Sequence, residues 1–293
     1  MIKSEKIKSS VDLPILISFS GGRTSAFMAK LLMEHRALAD RPKVVCFANT
    51  GKEFQATLDF VNECDVRWNL NVVWLEAVVN PKKGKGTTFK IVNYETAAKK
   101  GEPFEAVISK YGIPSKQFPH CTRELKQLPI RRYIQSLGYS DWDTAVGIRA
   151  DEKHRLNRGS DSNFNNPYFP LGGDLISVDE NFIRRWWDQQ DFDLELKDYQ
   201  SNCDLCWKKS KRKRLTLINE NQSVADWWNE MEARYGKGDY QFDQREGLTI
   251  PDLVEIASRP FAKAVDKHEL RQSTPPLFAT EMDMEWDCIC KSA

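Results

Sequence analysis

The chain has 293 residues, 41% of them hydrophobic and 29% charged, with a formal net charge of +1. That composition excludes global disorder and a chain-wide basic field for nucleic acid, and the length suits one large α/β domain with an appendage, or two small domains. The opening Met-Ile-Lys-Ser-Glu-Lys-Ile-Lys-Ser-Ser lacks the apolar run of a secretion signal and no stretch reaches the length of a membrane span, so the expectation is a cytoplasmic protein with no membrane partner.

In chain order, Pro14 to Ser18 is a short apolar run, which predicts a buried strand. Thr24 to His35 has helical spacing, with Phe27, Met28, Leu31 and Leu32 on one side. Lys43 to Ala48 predicts a second strand, Phe54 to Trp68 a second helix carrying Leu58, Val61 and Val66, and Asn71 to Leu75 a third strand. This βαβαβ rhythm implies a parallel sheet with right-handed crossovers. Residues 78–120 are less regular, and Lys82 to Thr88 reads as an exposed loop. Cys121 to Leu137 predicts a helix that Pro129 kinks or divides, and Trp142 to Gly147 a fourth strand. Beyond Arg158 the alternation stops. Irregular chain and Trp-rich helices around Trp186-Trp187 and Trp227-Trp228 follow. The expected division is an α/β domain over 1–160 and a mainly helical, cysteine-bearing region over 161–293.

Between the first strand and helix stands Ser18-Phe-Ser20-Gly21-Gly22-Arg23-Thr24-Ser25. Two glycines let backbone approach an anion, and the free N–H groups of a helix start attract a phosphate. Ser18, Ser20, Thr24 and Ser25 bring hydroxyls, and Arg23, turned inward, a planar cationic fork. The Gly-Lys-Ser/Thr ending of a Walker A loop is absent, which disfavours an ordinary kinase or GTPase.

Ser-Gly-Gly-Arg-Thr-Ser resembles the PP-loop of the adenine nucleotide α-hydrolases. Phe47-Ala-Asn-Thr-Gly-Lys-Glu53 with Thr57, Cys121-Thr-Arg-Glu-Leu-Lys126 with Pro129 and Arg131-Arg132, Gly147-Ile-Arg-Ala-Asp-Glu152 with Arg155, and Tyr168-Phe-Pro-Leu171 resemble, in order, segments of the phosphoadenosine phosphosulfate (PAPS) reductase family. The resemblance implies a doubly wound, parallel five-stranded sheet of PP-loop type with a helical, cysteine-bearing C-terminal portion. ATP, or PAPS or its unphosphorylated analogue APS, would lie across the carboxyl ends of the strands. Asn49, Thr50 and Gly51 would meet base or ribose, and Gly147 and Arg149 the phosphate or sulfonate. Asp151 and Glu152 would bind Mg²⁺ or orient Lys126 and the arginines, ahead of the other reading for them and Arg155, a capped helix with surface ion pairs. Arg123, Lys126 and Arg131 would form a cationic face, with Arg132 solvated.

The seven cysteines are Cys46, Cys64, Cys121, Cys203, Cys206, Cys288 and Cys290. In a reducing compartment the clustered ones read as metal or redox residues before disulfides, while Cys46 and Cys64 suit packing. Cys121, Cys203 and Cys206 with Cys288 would complete a Cys₄ set for a [4Fe–4S] cluster, with Zn²⁺ as the alternative. Iron–sulfur members of that family carry a Cys-Cys pair where this chain has His120-Cys121, a departure that leaves one ligand to be supplied by the terminal cysteines or the fourth iron open. Reductases of the family end on Glu-Cys-Gly-x-His with a nucleophilic cysteine; here the chain ends Trp286-Asp-Cys-Ile-Cys-Lys-Ser-Ala. Cys288 or Cys290 would be the nucleophile, with Lys126 and Arg149 assisting, but the missing Gly and His turn the expectation toward adenylation-linked sulfur transfer ahead of sulfonucleotide reduction. Partners would be an adenine nucleotide, a sulfur donor or thioredoxin-like reductant, and a nucleic-acid acceptor; a homodimer is compatible. The basic run Lys208 to Arg214 suits a solvated helix face slightly better than a nucleic-acid contact. A non-catalytic adaptor with structural zinc is the remaining alternative.

Overall fold

The computed structural model describes residues 13–115, 118–157, 164–236, 241–243 and 246–266. A six-stranded sheet organises them, in the order β4-β3-β2-β1-β5-β6. Its strands are β1 (Ile15–Ser18), β2 (Lys43–Asn49), β3 (Val73–Val79), β4 (Thr87–Val92), β5 (Asp143–Val146) and β6 (Pro167–Tyr168). All neighbours run parallel except β3 and β4, which are antiparallel from Trp74↔Val92 to Val79↔Thr87. Five parallel strands were expected and four located; β4 was not among them, nor was β6, which falls in chain read as irregular. The Thr-Thr-Phe-Lys-Ile-Val of β4 follows a Gly-Lys-Gly turn, so the expected loop ends at Gly86 and the chain doubles back as an edge strand.

Strand periodicity of two explains how the sheet is covered on both faces. Ile15 and Ile17 pack with Phe27, Met28 and Leu32 of α1 (Arg23–Glu34) and Leu58 and Val61 of α2 (Gln55–Trp68). Leu16, Cys46 and Leu75 face the other way, onto Ile130 and Ile134 of the helix before β5. Each of these fully buried aliphatic or aromatic side chains stabilises the fold by about 1.5–3 kcal/mol. Val66 was expected with the apolar stripe of α2 but is 73% exposed. α2 ends at Asn69, which takes a left-handed conformation, so the chain turns into β3 there.

The segment around Pro129 is one continuous helical run with a wide turn inside it. After α3 (Glu102–Tyr111) come a short α4 (His120–Thr122), a π-helical turn over Arg123–Gln127, and α5 (Leu128–Ser136). The Leu128 N–H donates to the Arg123 carbonyl, five residues back. Widening the helix there accommodates a proline that lacks an N–H and would crowd a regular turn.

Residues 158–163, where the domain boundary was expected, lie outside the described residues. Beyond them, α6 (Lys153–Leu156) having ended before the gap, β6 joins the sheet beside β5. Val178, Leu194 and Ile183 and Trp187 of α7 (Glu180–Trp187) enter the same cluster as Ile15 and Ile17. A further core gathers Phe104, Leu125 and Leu205 with α8 (Lys211–Glu220), α9 (Asp226–Tyr235) and α10 (Ile250–Ala257). Trp187 and Trp228 are core residues, 2% and 0% exposed. Among the described residues no helix is long and apolar enough to cross a membrane.

Candidate functional site

β1 has β2 on one side and β5 on the other, and the chain winds outward in both directions from it. The carboxyl ends of β1 and β5 therefore flank the crevice where open α/β sheets take ligands. The Ser18–Ser25 loop fills that position. Gly21 has φ +80°, and a Cβ on it would stand 2.6 Å from Thr57 Cγ2, so no other residue fits without strain. Gly22 differs. Its φ is −106°, and a Cβ there would find nothing closer than Ser20 Oγ and Asn202 Oδ1, both at 3.9 Å. Gly22 therefore leaves a hollow above the start of α1. That helix start has no side-chain cap and no acidic residue in its first turn. Its amides and the helix dipole make the hollow electropositive.

The loop serines divide their work. Ser25 is 4% exposed. Its hydroxyl bonds the Gly22 carbonyl at 2.9 Å and the Ser20 N–H at 3.1 Å, and lies 2.9 Å from Ser20 Oγ. It braces the turn, leaving Ser20 at the hollow's rim. Arg23 does not turn inward. Its Nε donates to both Asp193 oxygens, at 2.7 and 2.9 Å, and its guanidinium also reaches the carbonyls of Leu194 and Leu196. The helix presents residue 23 to the C-terminal portion of the chain, which grips it further through Trp187 Nε1 on the Arg23 carbonyl.

The cation at the loop is instead Arg149, three residues past β5 and 12% exposed. One edge of its guanidinium holds Asp151, at 2.9 and 3.1 Å; NH1 lies 3.4 Å from Thr24 Oγ1, in the first turn of α1. Burial alone would lower its pKa, but the bond to Asp151 and the charges of Glu152, Asp151 and Glu180 raise it, so it stays cationic. Glu152 accepts the Arg149 N–H at 3.0 Å and pairs with Arg155. Asp151 and Glu152 therefore spend oxygens on Arg149 and Arg155. Gly147 lets β5 approach the loop: a Cβ there would stand 3.2 Å from Ser25 Cα.

At the end of β2, Asn49 is fully buried and its amide is spent on Glu76, the Ala98 carbonyl and the Gly51 N–H. It shapes the turn. Thr50 is 1% exposed and bonds Glu53 through both its N–H and its hydroxyl. Burial raises the Glu53 pKa, opposed by the Lys126 charge and the bonds from Thr50. Gly51, at φ +80°, packs against Gly101 and Pro103.

A second recess lies beside these residues. Cys121, Cys203 and Cys206 line one cleft with Thr50, Lys126, Trp207 and Lys208. Three expected metal ligands and one expected catalytic lysine, drawn from positions 85 residues apart, are thereby brought together. Their thiols carry no disulfide. Thiol donors suit a thiophilic ion or cluster, yet among the described residues no group of three or more His, Cys, Asp or Glu side chains is set to hold a metal ion. Cys288 and Cys290, expected as fourth ligand and nucleophile, lie outside the described residues. His120, the neighbour of Cys121, places Nε2 3.0 Å from the Gly112 carbonyl, and burial lowers its pKa. Cys46 and Cys64 are buried packing residues whose thiol pKa values burial raises.

The basic run is only partly solvated: Lys209 and Arg214 are buried, and the rest are partly exposed. Lys209 is 2% exposed and bonds the Cys203 carbonyl; Arg214 is buried and pairs with buried Asp243. Lys208 donates to Thr122 at 2.8 Å and Lys211 pairs with Glu246. Of the proposed cationic helix face, Arg123 instead pairs with Glu124 at the surface, Arg132 is exposed, and Lys126 turns to the cysteine cleft; the π turn breaks the spacing that would have aligned them.

Asn202 had no part in the sequence expectations. Its Nδ2 donates to the Ser20 carbonyl, while the residues after it pair with the chain after β2: Phe54 N–H to the Asn202 carbonyl at 3.0 Å, and Asp204 N–H to the Lys52 carbonyl at 2.9 Å. Only its place next to Cys203 could have drawn notice.

A family model described as "Phosphoadenosine phosphosulfate reductase domain" matches residues 14–99. The "Uncharacterized nin region protein ORF290" of Escherichia phage lambda is 31% identical over 220 residues, covering 74% of this chain and 73% of that protein. An uncharacterized protein of Methanocaldococcus jannaschii is 27% identical over 162 residues, 53% of this chain but only 27% of its own length. A second from the same organism is 29% identical over 118 residues, 40% of this chain and 22% of its own.

Proposed function

The chain belongs to the phosphoadenosine phosphosulfate reductase family of the PP-loop adenine nucleotide α-hydrolase superfamily, and from that premise we propose that it is an enzyme that binds an adenine nucleotide by its phosphate end on the Ser18–Ser25 loop. One observation carries this reading: the hollow over Gly22, with its uncapped helix start, rimmed by Ser20 and with half-buried Arg149 beside Thr24. An anion seated there would meet backbone donors, the positive end of a 12-residue helix and a cation fixed in place.

The reaction that suits this arrangement best is attack at the α-phosphate of ATP. An acceptor oxygen would bond to that phosphorus as the bridge to the β-phosphate breaks, and the loop and Arg149 would stabilise the charge gathering on departing pyrophosphate. A sulfur nucleophile would then displace AMP from the adenylated acceptor. The cleft of Cys121, Cys203 and Cys206 is the place for sulfur. Those three thiols would bind a [4Fe–4S] cluster or Zn²⁺ if a further donor completed the set, and the bound group would supply a site for sulfur or hold the cleft rigid. Reduction of a sulfonucleotide to sulfite is the second reading, favoured by the description of the matching family model. There a thiol would attack the sulfonyl sulfur, releasing the nucleotide, and a second thiol would release sulfite and leave a disulfide for an external dithiol to reduce.

Calorimetric titration with ATP, PAPS and GTP tests the binding: the adenine nucleotides should bind to wild type and fail to bind to Gly22→Val. A Gly22→Val protein that binds ATP normally removes the loop from the reading. Sulfite release from PAPS with a dithiol, against acceptor-dependent pyrophosphate release from ATP, separates the two reactions. Metal and acid-labile sulfide analysis after oxygen-free purification, on wild type and Cys203→Ala, tests the cluster.

A further inference from the structure

The loop's hollow is not walled by the N-terminal half of the chain alone. Asn202, from the segment that carries Cys203, stands over it. Its Nδ2 donates to the Ser20 carbonyl, and its Oδ1 lies 3.9 Å from the point a Gly22 Cβ would occupy, the same distance as Ser20 Oγ. The backbone on both sides of it is held. The Asn202 carbonyl accepts from Phe54, Cys203 bridges Glu53, and Asp204 bonds the Lys52 backbone and pairs with Lys52 Nζ at 2.7 Å. Lys209, buried, bonds the Cys203 carbonyl from beneath. A side chain mounted this firmly fixes whatever it bonds, and what it bonds is the peptide entering Gly21.

We propose that Asn202 is a phosphate-positioning residue: contributed by the cysteine-bearing segment, it pins the Ser20 carbonyl and sets the charge over the hollow in which a nucleotide's phosphates or inorganic pyrophosphate sit. This rests on the nucleotide reading above. The residue type follows from the two tasks. The Ser20 carbonyl only accepts hydrogen bonds, so its partner must donate, and the group facing an anion must not be negative; an amide meets both conditions and a carboxylate neither. Because Cys203 is the next residue, the thiol cleft begins directly beside the phosphate end of the bound nucleotide.

Calorimetric titration of wild type, Asn202→Ala and Asn202→Asp with ATP and with inorganic pyrophosphate tests this, alongside thermal melting. Asn202→Ala removes the bond to Ser20 and should weaken binding roughly fivefold to tenfold. Asn202→Asp, the same size but charged, should weaken it about a hundredfold at low ionic strength, with the excess over alanine shrinking in salt. A merely structural role would lower the melting temperature of both variants and leave their affinities alike. Should the aspartate variant not fold, Asn202→Lys replaces it, with affinity expected above that of the alanine variant. Wild type that binds both probes while the charged and neutral variants bind equally overturns the role of Asn202 and leaves the nucleotide reading standing. Wild type that binds neither probe overturns both.

Discussion

The nucleotide loop and the cysteine cleft are joined in space through Asn202 and Cys203, yet they are built to different degrees. At the loop each supporting part is in place: Gly21 takes a conformation and a space that only glycine allows, Ser25 braces the turn, and Glu152 and Asp151 hold Arg149. The cleft has three thiols and two lysines lining one recess but no formed metal centre among the described residues. The difference separates two kinds of site. An anion site made of backbone and helix dipole is finished when the fold is finished. A thiol site needs a partner, whether metal, sulfur or another stretch of chain, before its chemistry is defined.

The sharpest way to break that contrast is to exchange the roles of the two glycines. Gly21→Val forces a β-branched residue to φ +80° and into Thr57, and should cost about 3 kcal/mol of stability in urea unfolding. Gly22→Val, with an ordinary backbone and only van der Waals contact to Ser20 and Asn202, should stay within about 0.5 kcal/mol of wild type while losing nucleotide binding. If both variants unfold alike, the hollow is a packing feature and the contrast collapses.

The cleft can be separated from the loop from the other side. Cys121→Ala and Cys206→Ala should leave ATP affinity unchanged within about twofold, because neither thiol supports the loop, while lowering turnover by a factor of about a hundred or more if sulfur chemistry passes through them. Titration and product release read the two effects independently. Equal losses of affinity and turnover would show one site rather than two.

How much of this was visible in the residues also differs between the regions. The loop reads directly from the sequence because its parts are contiguous and its glycines lie between an apolar run and a helical period. The grouping of Cys121, Cys203 and Cys206 came from counting thiols toward a four-ligand set, with the resemblance choosing among metals, since no periodicity links positions so far apart. Arg23 and the Lys208–Arg214 run misled because charge in a sequence carries no direction. The partners Asp193 and Asp243 that absorb Arg23 and Arg214 are distant in the chain. β4 escaped because an antiparallel edge strand breaks the rhythm of a parallel sheet, and Asn202 because a lone asparagine has no local pattern at all.

Arg214 offers a third test, smaller in reach because it bears on the C-terminal core alone. Both members of its pair with Asp243 are buried. Asp243→Ala would take away the ion-pair partner of the buried guanidinium, leaving Glu232 as its nearby acid, and should destabilise the chain by about 3 kcal/mol in chemical denaturation. Nucleotide affinity of the folded fraction should not change. A loss of oligonucleotide binding without a loss of stability would instead assign the pair to a surface role of the basic run.

The smallest effect expected is a pH dependence at His120, the residue before the first cleft cysteine. Its Nε2–H donates to the Gly112 carbonyl as a neutral ring, and burial is the leading cause that lowers its pKa from 6.5. The unfolded chain therefore binds a proton at this position more readily than the folded one. Stability from this group is complete above pH 6.5, declines as pH falls toward the lower folded-state value, and is constant beneath it. His120→Gln keeps a donor for Gly112 and does not titrate, so its unfolding free energy should lack that decline when both proteins are measured across the acid range. The Cys121 neighbourhood would then respond to pH through its helix start, whereas ATP binding at the loop, which has no histidine among its residues, should show no matching step. A step shared by both variants would assign the acid sensitivity to carboxylates such as Glu53, and the cleft and loop would titrate together.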